Sequence, residues 1–183
     1  AEISEGSLSV GDIVSMQVSP AIREAITRNH TSAHLLHAAL RKGLGTHVHQ
    51  AGQLVNAKEM RFDFSHFEAM TREEIAEVEH EVNRVILSGI EVKRYETDIA
   101  SAKEKGAMAL FGEKYGERVR VCEVGDFSIE LCGGTHISNT AKIGLFKIIS
   151  ESSVAAVVRR IEAVTGYGVL DLISRQSSVL AAA

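Results

Sequence analysis

Tryptophan is missing from the 183 residues, proline occurs once and cysteine twice. A single proline excludes proline-rich rigid linkers, and without tryptophan no indole is available to stack on a base. Two cysteines cannot build a disulfide framework, so a reducing, cytoplasmic compartment is the expectation. No apolar run approaches the roughly 20 residues that cross a bilayer, so no membrane partner is expected. Residues 1–10, AEISEGSLSV, are acidic and polar, unlike a secretory signal. Basic residues are not in excess: 20 Lys and Arg against 24 Asp and Glu give a net charge of −4. That balance argues against broad nucleic-acid binding but leaves room for a local basic patch.

What is present belongs to a globular chain. Hydrophobic residues make up 45% and charged residues 24%, and a chain of this size buries roughly 70% of its unfolded surface. Leu8 to Val18 alternates loosely and reads as strand–turn–strand around Gly11-Asp12. Ser19-Pro20 opens a helix, and Asn29 caps a second one that stops at Gly43 or Gly45. Val48 to Phe64 reads as a hairpin turning near Asn56 to Glu59, and Thr71 to Glu74 as a capping box opening a helix to Ser88-Gly89. Ile75, Val78, Val82, Val85 and Ile86 form that helix's apolar stripe.

A strand at Ile90 to Tyr95, a short helix and the loop GAMALFGEKYGE follow. Further strands are expected at Arg118 to Val124, Phe127 to Leu131, Leu145 to Ile149 and Val154 to Val164, then a helix from Gly166. Strands and helices without regular βαβ spacing imply an α+β fold, mainly an antiparallel sheet with helices packed on one face. Residues 1–18 read as N-terminal strands or the end of a preceding β domain, and 19–183 as one domain.

His30 and His34 lie four apart, which puts both imidazoles on one helix face. Alone, HxxxH is a weak signal. Cys132-Gly-Gly-Thr-His136 adds a thiolate and a third imidazole flanking glycines that allow a tight turn. A Cys/His set of this kind favours zinc in tetrahedral geometry. His37 reads as a helix-surface residue or a support for the ligands; His47, His49, His66 and His80 have ordinary structural explanations, and Cys122 reads as core. HTSAH lacks the glutamate of HExxH, so a zinc peptidase is excluded.

The strings NHTSAHLLHAAL, MRFDFSHFEAM, GAMALFGEKYGERVRV, ELCGGTHISNT and RRIEAVTG, in this order, resemble the editing domain of bacterial alanyl-tRNA synthetases from about Val18 to Gly166. The HxxxH and CxxxH halves are shared with free-standing editing proteins and with the threonyl-tRNA synthetase editing domain. The resemblance implies hydrolysis of the ester joining serine or glycine to the terminal adenosine of alanine tRNA, beside the rest of a synthetase chain that carries the ATP-dependent chemistry. A pocket made for alanine cannot exclude glycine, and it rejects an added hydroxyl only about a hundredfold, so a second, hydrolytic site makes up the difference.

By motif position His30, His34, Cys132 and His136 match the family's zinc ligands, and Gln50 resembles its substrate-pocket glutamine. Arg61 and Asp63 share one strand face, either towards the pocket or as a cross-strand ion pair. The amides of Gly133 and Gly134 can act as oxyanion donors, Thr135 can hydrogen-bond within the loop, and Arg159 and Arg160 can meet tRNA phosphate or serve as surface residues. Zinc would polarise water or hold the substrate's amino group; a ribose hydroxyl acting as base is an equal variant. Ser153 and Val157 stand where the family usually has glycine, Gln53 where it has serine, and Ala33 where it has threonine. A non-catalytic, zinc-stabilised RNA-binding module and a free-standing editing protein are the alternatives.

Overall fold

In a computed structural model the described residues are 3, 5–109 and 115–182; Leu110 to Lys114 of the expected GAMALFGEKYGE loop lie outside them. The order is α1 (Pro20–Leu44), β1 (Gln50–Val55), β2 (Met60–Ser65), α2 (Arg72–Leu87), β3 (Val92–Asp98), α3 (Ile99–Glu104), β4 (Arg118–Val124), β5 (Ser128–Leu131), a 3-10 turn, β6 (Phe146–Ala155), β7 (Val158–Thr165) and α4 (Tyr167–Ala181). The expected antiparallel α+β class holds, with the strands divided between a four-stranded sheet, β1-β2-β7-β6, and a three-stranded one, β3-β4-β5. No helix among the described residues is long and apolar enough to cross a membrane.

Strict alternation in β2 sets the position of α1. Met60, Phe62 and Phe64 are fully buried and join Leu35, Leu36 and Leu40 of α1 in the main core, while Arg61, Asp63 and Ser65 point the other way. Val78, Val82, Val85 and Ile86 of α2 complete that core. The Thr71 capping box is formed: Glu74 N–H donates to Thr71 Oγ1 at 3.1 Å, and Thr71 N–H donates to the Glu74 carboxylate at 2.7 Å. Such a cap stabilises a helix start by about 1 kcal/mol. In the second sheet, β4 is buried on both faces: Cys122 and Val124 belong to the main core, Val119 and Val121 to a smaller one under α3.

Three local expectations are corrected. Asn29 caps nothing; α1 is one continuous helix, and Asn29 is buried within it, donating to Asn56 O at 2.9 Å and accepting from Thr165 Oγ1 at 2.6 Å. Tertiary partners thus replace the local cap that its residue type favours. Residues 5–18 contain a turn, with Asp12 N–H donating to Ser9 O at 3.1 Å, but no strand, and Val10, Ile13 and Met16 are almost wholly exposed. Alternation needs a paired neighbour to become a strand, and none lies beside it among the described residues.

The third correction splits Val154 to Val164: β6 and β7 form a hairpin turning at Ala156-Val157. Val157 has φ 53°, the only non-glycine at positive φ among the described residues. A β-branched residue there costs on the order of 1 kcal/mol or more, which gives the family's usual glycine at this position a physical reason. Ser153, the other departure, is not in the left-handed region.

Candidate metal centre and adjoining cavity

Helix α1 supplies His30 and His34, and the loop after β5 supplies Cys132 and His136. Ligand atoms of the four side chains all lie within 4.8 Å of one another. Cys132 Sγ is 3.5 Å from His30 Nε2 and 3.3 Å from His136 Nε2. Donors around a tetrahedral zinc are separated by about 3.3–3.8 Å, from its bond lengths, so a small contraction would suffice. His34 and His136 are buried and Cys132 is half-buried.

Hydrogen bonds prepare the ring nitrogens. Thr31 Oγ1 donates to Thr27 O at 2.9 Å, which leaves its lone pairs to accept from His136 Nδ1 at 3.1 Å and from Ile137 N–H at 3.3 Å. The His136 proton therefore sits on Nδ1, and the Nε2 lone pair faces Cys132. Burial, then the charge of His34, pushes His30 down to about 4; burial, then His34 and His30, pushes His136 down to about 2. Burial also lowers His34. Neutral imidazole is the form that ligates a metal, and protons compete poorly for such rings. Three neutral imidazoles and one cysteine sulfur fit zinc. By contrast, burial lifts the Cys122 thiol to about 12, and it is inert core, as expected.

Only one of the loop glycines is demanded by close approach. A Cβ on Gly134 would overlap the His30 ring, whereas one on Gly133 would meet nothing. The Gly134 N–H donates to Cys132 Sγ at 3.5 Å, and Gly133 O accepts from Arg120 Nη1 at 3.0 Å. Thr135 is exposed and contributes a backbone hydrogen bond to His30.

Sequence reasoning missed Glu130. This buried β5 carboxylate accepts from His37 Nδ1 at 3.0 Å and lies 3.3 Å from His34 Nδ1. Burial pushes its carboxyl up, but His34 and His37 together hold it below the usual carboxylate range. Of the two expectations for His37, the surface position is excluded: it is buried and hydrogen-bonded to the carboxylate beside His34. A charged residue in the apolar strand SIEL, two before Cys132 and so on the same strand face, was the available signal.

Glu130 also lines a cavity of about 230 Å³ with His37, Arg41, His49, Gln50, Met108, Ala109 and Leu131. None of the four clustered residues lines this cavity, which meets the cluster through Glu130 beside His34; four larger surface clefts, of about 310 to 670 Å³, include neither the clustered residues nor Glu130. Gln50 is thus brought to the cavity, whereas Arg61 and Asp63 project from the sheet face opposite α1. Asp63 there accepts two hydrogen bonds from Arg160 of β7, both at 2.7 Å, which is the cross-strand ion pair expected as the alternative to a pocket role. Arg159 pairs with Glu151 at 2.5 and 2.8 Å.

The description "Threonyl and Alanyl tRNA synthetase second additional domain" matches residues 119–162, which include Glu130, Cys132 and His136. The chain is 54% identical over 180 residues, 98% of its length, to an alanine–tRNA ligase of Pelotomaculum thermopropionicum. It is 54% identical over 178 residues to the ligase of Bacillus pumilus and 62% identical over 151 residues to that of Exiguobacterium sibiricum. Residues 119–162 thus belong to this synthetase-associated domain family, and nearly the whole chain is similar to one stretch of these ligases. It spans 20% of the length of the first two ligases and 17% of the third.

Proposed function

We propose that the chain is the hydrolytic editing domain of a cytoplasmic alanyl-tRNA synthetase, releasing serine or glycine wrongly esterified to the terminal adenosine of alanine tRNA. The observation that carries this reading is Glu130, a single carboxylate that lies 3.3 Å from His34 of the His/Cys cluster and also lines a cavity sized for a small amino acid. Its anionic oxygens would attract the substrate's α-ammonium group. Gln50, at the start of β1, offers an amide to a serine hydroxyl. Alanine would leave that amide unpaired, which is how a polar site rejects an analogue lacking the hydroxyl.

His30, His34, Cys132 and His136 would hold the zinc. When bound, zinc supplies Lewis acidity next to the ester. Water adds to the acyl carbon and the bond to the ribose oxygen breaks, giving free amino acid and uncharged tRNA. His37 keeps Glu130 oriented, and Thr31 keeps His136 in its ligating tautomer. The rest of the synthetase chain would bring the acceptor end of the tRNA to the cavity.

A second reading, a zinc-stabilised RNA-binding module without catalysis, draws on the four protein donors, which can close a tetrahedral shell. Serine release from seryl-tRNA(Ala) compared with alanine release from alanyl-tRNA(Ala) decides between them. The metal-loaded protein is expected to release serine selectively, and a Cys132→Ala, His136→Ala variant that remains folded is expected to lose this by a hundredfold or more, in keeping with the rate loss typical for removal of a catalytic electrostatic group, about 10²–10³. No release with zinc bound and tRNA binding intact would establish the second reading.

A further inference from the structure

Of the described phenylalanines, Phe62, Phe64 and Phe146 are buried and Phe127 is half-buried; Phe67 alone is open, at 75% exposure. A lone exposed apolar ring is ordinary, so its setting has to carry the argument. Phe67 lies offset-parallel to His47, with centroids 5.0 Å apart and planes at 24°. His47 is in turn nearly parallel to His66, at 5.2 Å and 23°, with His47 Nε2 2.9 Å from His66 Nδ1.

The backbone beneath these rings is fixed on both strands. Ser65 Oγ donates to His47 O at 2.7 Å and accepts from His49 N–H at 2.9 Å, and His66 N–H donates to Val157 O at 3.1 Å. Phe67 is therefore a ring presented from a fixed support, with little conformational freedom left to lose on binding. The segment that carries His47 runs directly into His49 and Gln50, which line the Glu130 cavity. The other strongly exposed aromatic ring among the described residues, Tyr167 at 76%, opens α4 beside clefts that include neither Glu130 nor Gln50.

We propose that Phe67, backed by His47, is a stacking platform for the unpaired terminal base of the tRNA acceptor end. The proposal rests on the editing reading, since an aminoacyl ester seated in the cavity leaves its nucleotide outside, next to the His47–Gln50 segment. Single-stranded ends are commonly bound by stacking on aromatic side chains, and each stacked base contributes about five- to a hundredfold in affinity. Such a contact recognises a base without reading its identity, so it positions the substrate and leaves amino-acid selection to the cavity.

The test uses an uncharged acceptor minihelix with 2-aminopurine in place of the terminal adenine, alongside hydrolysis of the charged RNA. The whole chain is expected to quench the 2-aminopurine on binding. Phe67→Ala and Phe67→Leu are expected to lose the quenching and raise KM about tenfold with kcat little changed, while Phe67→Tyr retains both. Leucine keeps the apolar bulk without the π-face, which separates stacking from simple packing. Unaltered quenching in Phe67→Ala, or hydrolysis by the unmodified chain without quenching, overturns the platform alone. A chain that neither quenches nor hydrolyses overturns the platform and the editing reading together.

Discussion

Polar groups on the two sides of the β1-β2-β7-β6 sheet meet different ends. On the face away from α1, Asp63 and Arg160 lock together through two hydrogen bonds, and Ser150 donates to Glu162 at 2.7 Å. On the α1 side, three imidazoles lose basicity through burial, and His34 Nδ1 and His37 Nε2 have no hydrogen-bond partner. The outer groups satisfy one another, apart from Arg61 Nε, and so act as scaffold. The inner groups are neutral, convergent and under-satisfied, which is the condition of a site completed by something it binds. Burial alone does not separate the two sets; whether each group already has its partner does.

The largest expected effect would break this contrast if it failed. Cys132→Ala should abolish stoichiometric zinc binding and, at zinc a thousandfold above Kd, remove about 4 kcal/mol of stability. Asp63→Asn should leave zinc content unchanged and cost about 1 kcal/mol, by loss of one exposed-side pair. Metal analysis together with urea unfolding checks both, and a loss of zinc in Asp63→Asn would show that the two faces are coupled. Glu130→Gln sharpens the contrast. An amide keeps one oxygen for His37 but removes the negative charge that lies 3.3 Å from His34, so zinc affinity should fall about 10–100-fold in a chelator competition.

The smallest effect belongs to a satisfied group that touches water. Hydrogen bonds from Arg84, then Lys42, hold the Glu81 carboxyl at about 2. Its folded value lies below its unfolded one, so its contribution is present above about pH 4.5 and is lost as pH falls towards 2. Solvent screening limits this to under about 1 kcal/mol. Urea midpoints at pH 6 and pH 3 should therefore differ slightly less in Glu81→Gln than in the unmodified chain.

The convergence of His30, His34, Cys132 and His136 was legible because both halves depend on local spacing: four residues along a helix, and a turn around glycine. The capping box and the β2 alternation were legible for the same reason. What failed depended on neighbours remote in sequence. Asn29 has the residue type of a cap, and only Asn56 and Thr165 reveal why it sits inside a helix. Arg61 and Asp63 were placed correctly on one face, but which face meets α1 is decided by Phe62 and Phe64 packing against Leu35 and Leu36. Glu130 was hidden because its partners lie 93 and 96 positions away, at His37 and His34.

Asn29 also sets the tolerance of the whole site. It ties α1 to the turn between β1 and β2 and to the end of β7, one residue before His30. A one-residue slip of a helix is about 1.5 Å of travel and 100° of rotation, enough to turn His30 and His34 away from Cys132 and His136. The residue that looks like a misplaced cap acts as a locating pin: it fixes helix phase against the sheet, so the two imidazoles of α1 meet Cys132 and His136 in register.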